Sequence, residues 1–380
     1  MLSPRDASSR GVAWRVVSGH PCDVLDVLDG LVAVGREPGA AVAVVRGGAV
    51  EIEHSAGTRD GASPWSSDTL VMTFSVAKPL AALAFLDAVA EGHLGLEQPV
   101  TSVWPAFGQS GKEATTMRHL LSHQAGLPAF PESALPVEYD DRQALVDLLA
   151  GAAPIHPPGA GVAEHALTYG HLLDEVLRRA TGEPLVERFA RIAAAAGWDL
   201  HLRVEDHDLA RVATLVELTG TWQSGYLEDP RWGPALSRPA GLLDPEVLNS
   251  DRFRGTAFPA VALHATALSL ARFYDDVIRP EGLVAARLGH DLWRAYVEPA
   301  ASGHDLVLNR PVTWTLGFQV SEESGRVELG MGGAGGCSAW AEPAASYGAA
   351  YLTRGLGGHD RGDVVWEAIS ATFTPPTAAG

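Results

Sequence analysis

Residues 72–83 read MTFSVAKPLAAL, and the fold turns on how its serine and lysine are understood. Ser75 and Lys78 lie three apart at the head of an apolar run, so a helix puts both side chains on one face. The apolar pattern continues to Glu91 and Gly92 supplies a stop, which predicts a helix over 74–91. Taken alone, the tetrapeptide SVAK reads most simply as a serine N-cap followed by a solvent-pointing lysine. The other reading is chemical. A helix start favours developing negative charge, a hydroxyl there can become a nucleophile, and burial makes a lysine a better base. Pro79 suits a first turn, where a missing N–H matters least.

Upstream, residues 22–35 have roughly helical spacing, and GAAVAVVRGGAVEIEH (39–54) places two β-rich runs around Gly47-Gly48, a hairpin signal. Downstream, from about 115 to 274, MRHLLSH, ALVDLLAGA, LTYGHLLDEVLRRATG and ATALSLARFYDDVI are helical, separated by loops such as PIHPPGAG. The last third returns to strands with WTLGFQVSE, GRVELGMGG, CSAWAEP and YGAAYLTR before the helix-like DVVWEAISATF. Strands at both ends with helices between imply an α+β fold. Its antiparallel sheet is formed by both termini and flanked by helices, with a mostly helical inserted domain. The expected division is a sheet domain of residues 1–110 and 300–380, a helical domain of 111–299, and an active site in the cleft between them.

With 380 residues, 46% apolar and 19% charged, the chain can bury a large core. A net charge of −18 and the lack of any basic block argue against nucleic acid as a partner. No apolar stretch is long enough to span a membrane. The N-terminal MLSPRDASSRGVAWRVVSGHPC lacks a signal-peptide pattern, so the expected location is cytoplasmic. Cys22 and Cys337 are the two cysteines; they could pair, but fit a reducing compartment equally well.

Two more motifs could carry chemistry. Tyr169 opens a helical run after a Pro-Pro-Gly loop, where its hydroxyl can face a cleft, although most such tyrosines are half-buried packing residues. Gly330 to Cys337, GMGGAGGC, lies between β-rich runs, where glycines mark a bend or a close approach. It has no dinucleotide-binding context.

Together, SVAK, the Tyr169 segment and the glycine-rich strand, in that order, resemble the serine β-lactamase-like superfamily, in the branch of class C β-lactamases and family VIII carboxylesterases. MRHLLSHQAGLP, ALTYGHLLDEVLRRATG and ELGMGGAGGCSAWAEP strengthen the likeness, which spans about residues 30–372. The resemblance implies Ser75 as nucleophile, Lys78 as its base and Tyr169 as a proton shuttle. The N–H groups of Ser75 and Ala334 would form the oxyanion hole. Met331, Gly332, Gly333, His171, Trp232 and His264 are expected to line the substrate site.

Two departures narrow the substrate. Met331 stands where the family usually has Lys or His, and a thioether cannot anchor a carboxylate. This argues against β-lactams and D-Ala-D-Ala peptides and favours neutral esters. His171 stands where class C enzymes have Asn, and could substitute as a hydrogen-bonding group. His119 and His123 have i, i+4 spacing but lack the glutamate of a zinc motif, so no metal or other cofactor is expected. Trp222, Tyr226 and Trp232 could wall a pocket or simply pack. The resulting expectation is a carboxylesterase acting on a small acyl ester through acyl-Ser75. The alternative is a transacylase of secondary metabolism with an amine or alcohol acceptor. β-Lactamase or D,D-peptidase activity and an inactive binding protein rank below both.

Overall fold

In the computed structural model, which describes residues 21–323 and 325–373, the run GAAVAVVR forms strand β1 (Gly39–Arg46), buried at every position but the last. Its alternate residues enter two different cores. Ala41, Ala43 and Val45 join one cluster, and Ala40, Val42 and Val44 join another, because successive side chains on a strand point to opposite faces. Gly47 and Gly48 have positive φ of 57° and 83°, which lets the chain turn tightly into β2 (Ala49–Gly57).

The other strands of the main sheet come from the C-terminal third: β3 (Ala301–Asp305), β4 (Arg310–Trp314), β5 (Gln319–Glu323), β6 (Arg326–Gly332), β7 (Ser338–Glu342) and β8 (Tyr347–Thr353). They form one sheet in the order β2-β1-β8-β7-β6-β5-β4-β3, antiparallel throughout. Docking of β1 on β8, with Ala43 opposite Ala350, unites the two ends of the chain. The stretch WTLGFQVSE, expected as one strand, is instead the end of β4, a turn and then β5. The Thr315 N–H bonds the Phe318 carbonyl at 2.9 Å, closing that turn.

Five helices frame the sheet and the site: α1 (Pro21–Ala33), α2 (Ala77–Ala90), α3 (Thr168–Thr181), α4 (Ala267–Val277) and α5 (Asp360–Phe373). α1 and α5 cover one face of the sheet. α4 lies across β1 and β8 on the other face, although its sequence falls within the stretch expected to be the helical domain. α2 is buried from Ala77 to Ala88 and apolar on all sides, as a central helix must be. Only two charges enter it. Asp87 is neutralised by Arg188 at 2.6 Å and Arg287 at 2.5 Å; Lys78 belongs to the site below.

Among the described residues, no helix is long and apolar enough to cross a membrane. The N-terminal residues read for a signal peptide, and the Cys22 side chain, lie outside the described residues; Cys337 is a buried thiol.

Candidate active site

The chain reaches Ser75 through a short pairing of Val71 and Met72 with Ala265 and His264. Phe74–Val76 then makes a single 3-10 turn ahead of α2. Ser75 is therefore not an N-cap: it sits inside the turn, and the residue before it is bent. Phe74 has φ 53°, a left-handed conformation that costs a bulky residue about 1–3 kcal/mol unless its surroundings impose it. Here packing imposes it, since Phe74 is 3% exposed and meets the edge of Trp222 at 5.8 Å. The result is a half-buried serine held at a sharp bend.

Lys78 does not reach solvent. Its side chain is fully buried, and Nζ donates to Ser75 Oγ at 2.6 Å while facing Glu164 Oε1 at 3.1 Å. Burial pulls its pKa below the usual lysine value, with Glu164 pulling the other way. The sequence reading missed Glu164, an isolated acid in a loop with no periodic signal. Its loop is nonetheless firmly fixed. The Ala163 N–H bonds the His123 carbonyl at 3.0 Å, and the His165 N–H donates to His123 Nδ1 at 3.0 Å. His123 has φ 61°, and its ring packs against Trp314 at 4.3 Å and Tyr169 at 4.9 Å.

Tyr169, expected beside Ser75 and Lys78, is turned elsewhere. Its hydroxyl donates to the Leu121 carbonyl at 3.2 Å, it is fully buried, and desolvation raises its pKa above that of an ordinary phenol. Glu164 takes the place next to Lys78. The i, i+2 neighbour of Tyr169 follows it into the interior. The His171 ring packs against Phe258 at 4.6 Å and Phe130 at 5.4 Å, and burial pushes its pKa down to about 3. In this structure it is a core histidine. So is His264, which is 1% exposed, bonded through Nδ1 to the Ala262 carbonyl at 3.1 Å and pushed down to about 3 by burial. His119 caps the helix Met117–Leu121 in a capping box with Thr116.

The glycine-rich strand touches the Ser75 turn through its backbone. A Cβ on Gly333 would lie 2.0 Å from the Thr73 carbonyl oxygen, so only glycine allows the strand to come this close to Ser75. Gly333 thus seats the strand against the turn, and its N–H is used by the Cys337 carbonyl at 2.8 Å. Gly332 ends β6. Met331 is 3% exposed and packs in an apolar cluster with Val162, Val312 and Trp314, which leaves little of it for a substrate to touch.

Beyond Gly333, the Ala334 carbonyl accepts from Trp222 Nε1 at 2.9 Å and from the Tyr226 hydroxyl at 3.0 Å. Among the described residues, no backbone bond is made by the Ala334 N–H. Tyr226 in turn meets Trp232 edge to face at 5.9 Å. The aromatic trio therefore leans on the strand beside Ser75, with Trp232 as its half-buried outer member. Among the described residues, no cluster of three His, Cys, Asp or Glu groups could hold a metal ion.

A serine on a bent turn, a buried lysine bonded to it and a glycine strand alongside define a β-lactamase-like site. The chain belongs to the Beta-lactamase family, whose profile matches residues 25–372. It is 30% identical over 339 residues to the esterase/beta-lactamase LipL of Mycobacterium tuberculosis, covering 81% of this chain and 75% of that one. A penicillin-binding protein homolog from Caulobacter crescentus is 30% identical and superimposes with a TM-score of 0.80 over 93% of this chain and 96% of its own. A family VIII carboxylesterase shares the fold, with a TM-score of 0.78, 24% identity and coverage of 92% and 96%.

Proposed function

We propose that this chain is a carboxylesterase that cleaves small neutral esters through an acyl-Ser75 intermediate, in a cleft between the sheet and the helical region. The observation that carries the reading is the 2.6 Å contact between Nζ of the fully buried Lys78 and Oγ of the half-buried Ser75. An amine whose charged form is destabilised by burial gives up a proton more readily, and one bonded to a hydroxyl is in place to relay that hydroxyl's proton. Lys78 takes the Ser75 proton, and Oγ attacks the ester carbonyl. The N–H groups of Ser75 and Ala334 hold the oxyanion, a stabilisation that costs no rearrangement because both belong to fixed backbone. The alcohol then leaves, and water releases the acid.

Neutral substrates are supported by what surrounds Ser75. Met331 and its apolar cluster offer no cation for a carboxylate, and an anion brought near Lys78 meets the Glu164 carboxylate. Acyl transfer to an alcohol or amine is the second reading, favoured by the Trp222, Tyr226 and Trp232 wall, which supplies an apolar surface for an acceptor that displaces water. Such a step would suit a biosynthetic route that forms esters or amides without ATP.

A fluorophosphonate probe followed by mass spectrometry of the intact chain should place one adduct on Ser75. Ser75→Ala should lose p-nitrophenyl ester turnover, and Lys78→Ala should lose about 10²–10⁴ of it. Near-normal turnover by either variant refutes the assignment. Amide or ester product exceeding hydrolysis when amines or alcohols are added would select acyl transfer over the simple esterase.

A further inference from the structure

A lysine that is paired with a carboxylate poses a problem for the base chemistry above. If Lys78 carries its third proton and Glu164 is ionised, Nζ has no lone pair with which to accept the Ser75 proton. The geometry offers the solution, because Nζ touches both groups at once: Ser75 Oγ at 2.6 Å and Glu164 Oε1 at 3.1 Å. The Glu164 side chain is 5% exposed, so solvent does not compete for the lysine. Its backbone is held from both sides, by His123 and by the bond from Leu306 N–H to the Val162 carbonyl at 3.2 Å.

We propose that Glu164 is the proton-holding partner of Lys78, in the place the sequence assigns to Tyr169. This rests on Ser75 being the nucleophile. As Oγ bonds to the ester carbon, its proton passes to Nζ while an Nζ proton passes to Glu164 Oε1. Lys78 stays an ammonium throughout, and one negative charge moves from Glu164 to the tetrahedral oxyanion. When the C–O bond to the alcohol breaks, the departing oxygen takes a proton from Nζ and Glu164 returns its proton to Nζ. Water or an alcohol attacking the acyl-serine follows the same route in reverse, with Oγ as the group that leaves protonated. Glu164 acts through Lys78 and is a positioning residue in that sense.

Other titratable groups surround the pair. His123 and His165 face Lys78 and are held neutral chiefly by burial. Tyr226, Asp305 and Arg310 face Glu164. With both histidines neutral, neither sets the acid limb of the rate profile, and a change in that limb on replacing Glu164 alone reports on the lysine–glutamate pair.

The test is kcat/KM for p-nitrophenyl acetate from about pH 4.5 to 9.5 on the full chain, with circular dichroism to check folding. In Glu164→Gln, Lys78 must itself be deprotonated before it can act, so the acid limb should move up by about one pH unit or more. The rate at neutral pH should fall about 100-fold. Glu164→Asp should keep the acid limb at a reduced rate. A folded Glu164→Gln with an unmoved limb overturns the proposal, whatever its rate. If that variant does not fold, Glu164→Asp decides: a wild-type rate or a displaced limb overturns it. Turnover surviving in Ser75→Ala would instead refute the nucleophile, and is a separate outcome.

Discussion

At the residue scale, the pairing of Ser75 with Lys78 is legible in the sequence because it is local. Three residues of spacing at a helix start are enough to bring the groups together, and the 2.6 Å contact follows. Glu164 is not legible, since no pattern within its own segment announces a partner distant in sequence. Tyr169 misleads for the opposite reason. It has the family's residue type at a loop–helix junction, but the first turn of α3 points its hydroxyl at the Leu121 carbonyl. Met331 is a similar case. The sequence makes it a site residue through what it is not, and the structure adds that it is closed in by Val162, Val312 and Trp314. Met331→Lys should therefore cost about 3–5 kcal/mol in urea unfolding, as an unpaired buried charge does, without improving turnover of carboxylate-bearing esters. A folded, stable variant that gains such substrates would reinstate the methionine as a substrate contact.

At the scale of elements, the candidate site depends on the fit between the Ser75 turn and the strand end. The glycine run was readable as a close approach, but its partner was not, because the sequence gives no view of what lies opposite. The structure identifies it as the Thr73 carbonyl. Gly333→Ala should push β6 away from the turn and displace the Ala334 N–H. We expect a loss of about 10²–10³ in kcat, the scale of removing one oxyanion donor, with KM changed far less. Equal loss in kcat and gain in KM would point to a substrate contact at Gly333. The two-ended sheet was readable because alternation, turn glycines and strand composition repeat on both sides of the helical stretch. The placement of α4 on β1 and β8 was not, since a helix's amphipathic face does not say which core it joins.

At the scale of the whole molecule, several histidines are folded into the interior as neutral groups. His165, His171 and His264 each have a pKa pushed down to about 3, in every case chiefly by burial. Unfolded imidazoles titrate near 6.5, so the unfolded chain binds protons that the folded chain refuses. The stabilisation is complete above about pH 6.5 and is lost progressively as pH falls toward 3. Each of these histidines should cost about 1 kcal/mol per pH unit in that window. Urea midpoints between pH 7 and 5 should fall accordingly, and His171→Leu should make the slope shallower by one proton's share, about 1 kcal/mol per pH unit. An unchanged slope would contradict the neutral-core account. Finally, the two bonds from Trp222 and Tyr226 to the Ala334 carbonyl join the aromatic trio to the peptide segment to which the proposed mechanism gives the oxyanion. An exchange of residues 219–236 between relatives, made to change acyl or acceptor preference, would thus alter turnover as well. On the proposed mechanism, selectivity and speed would then not be separately adjustable.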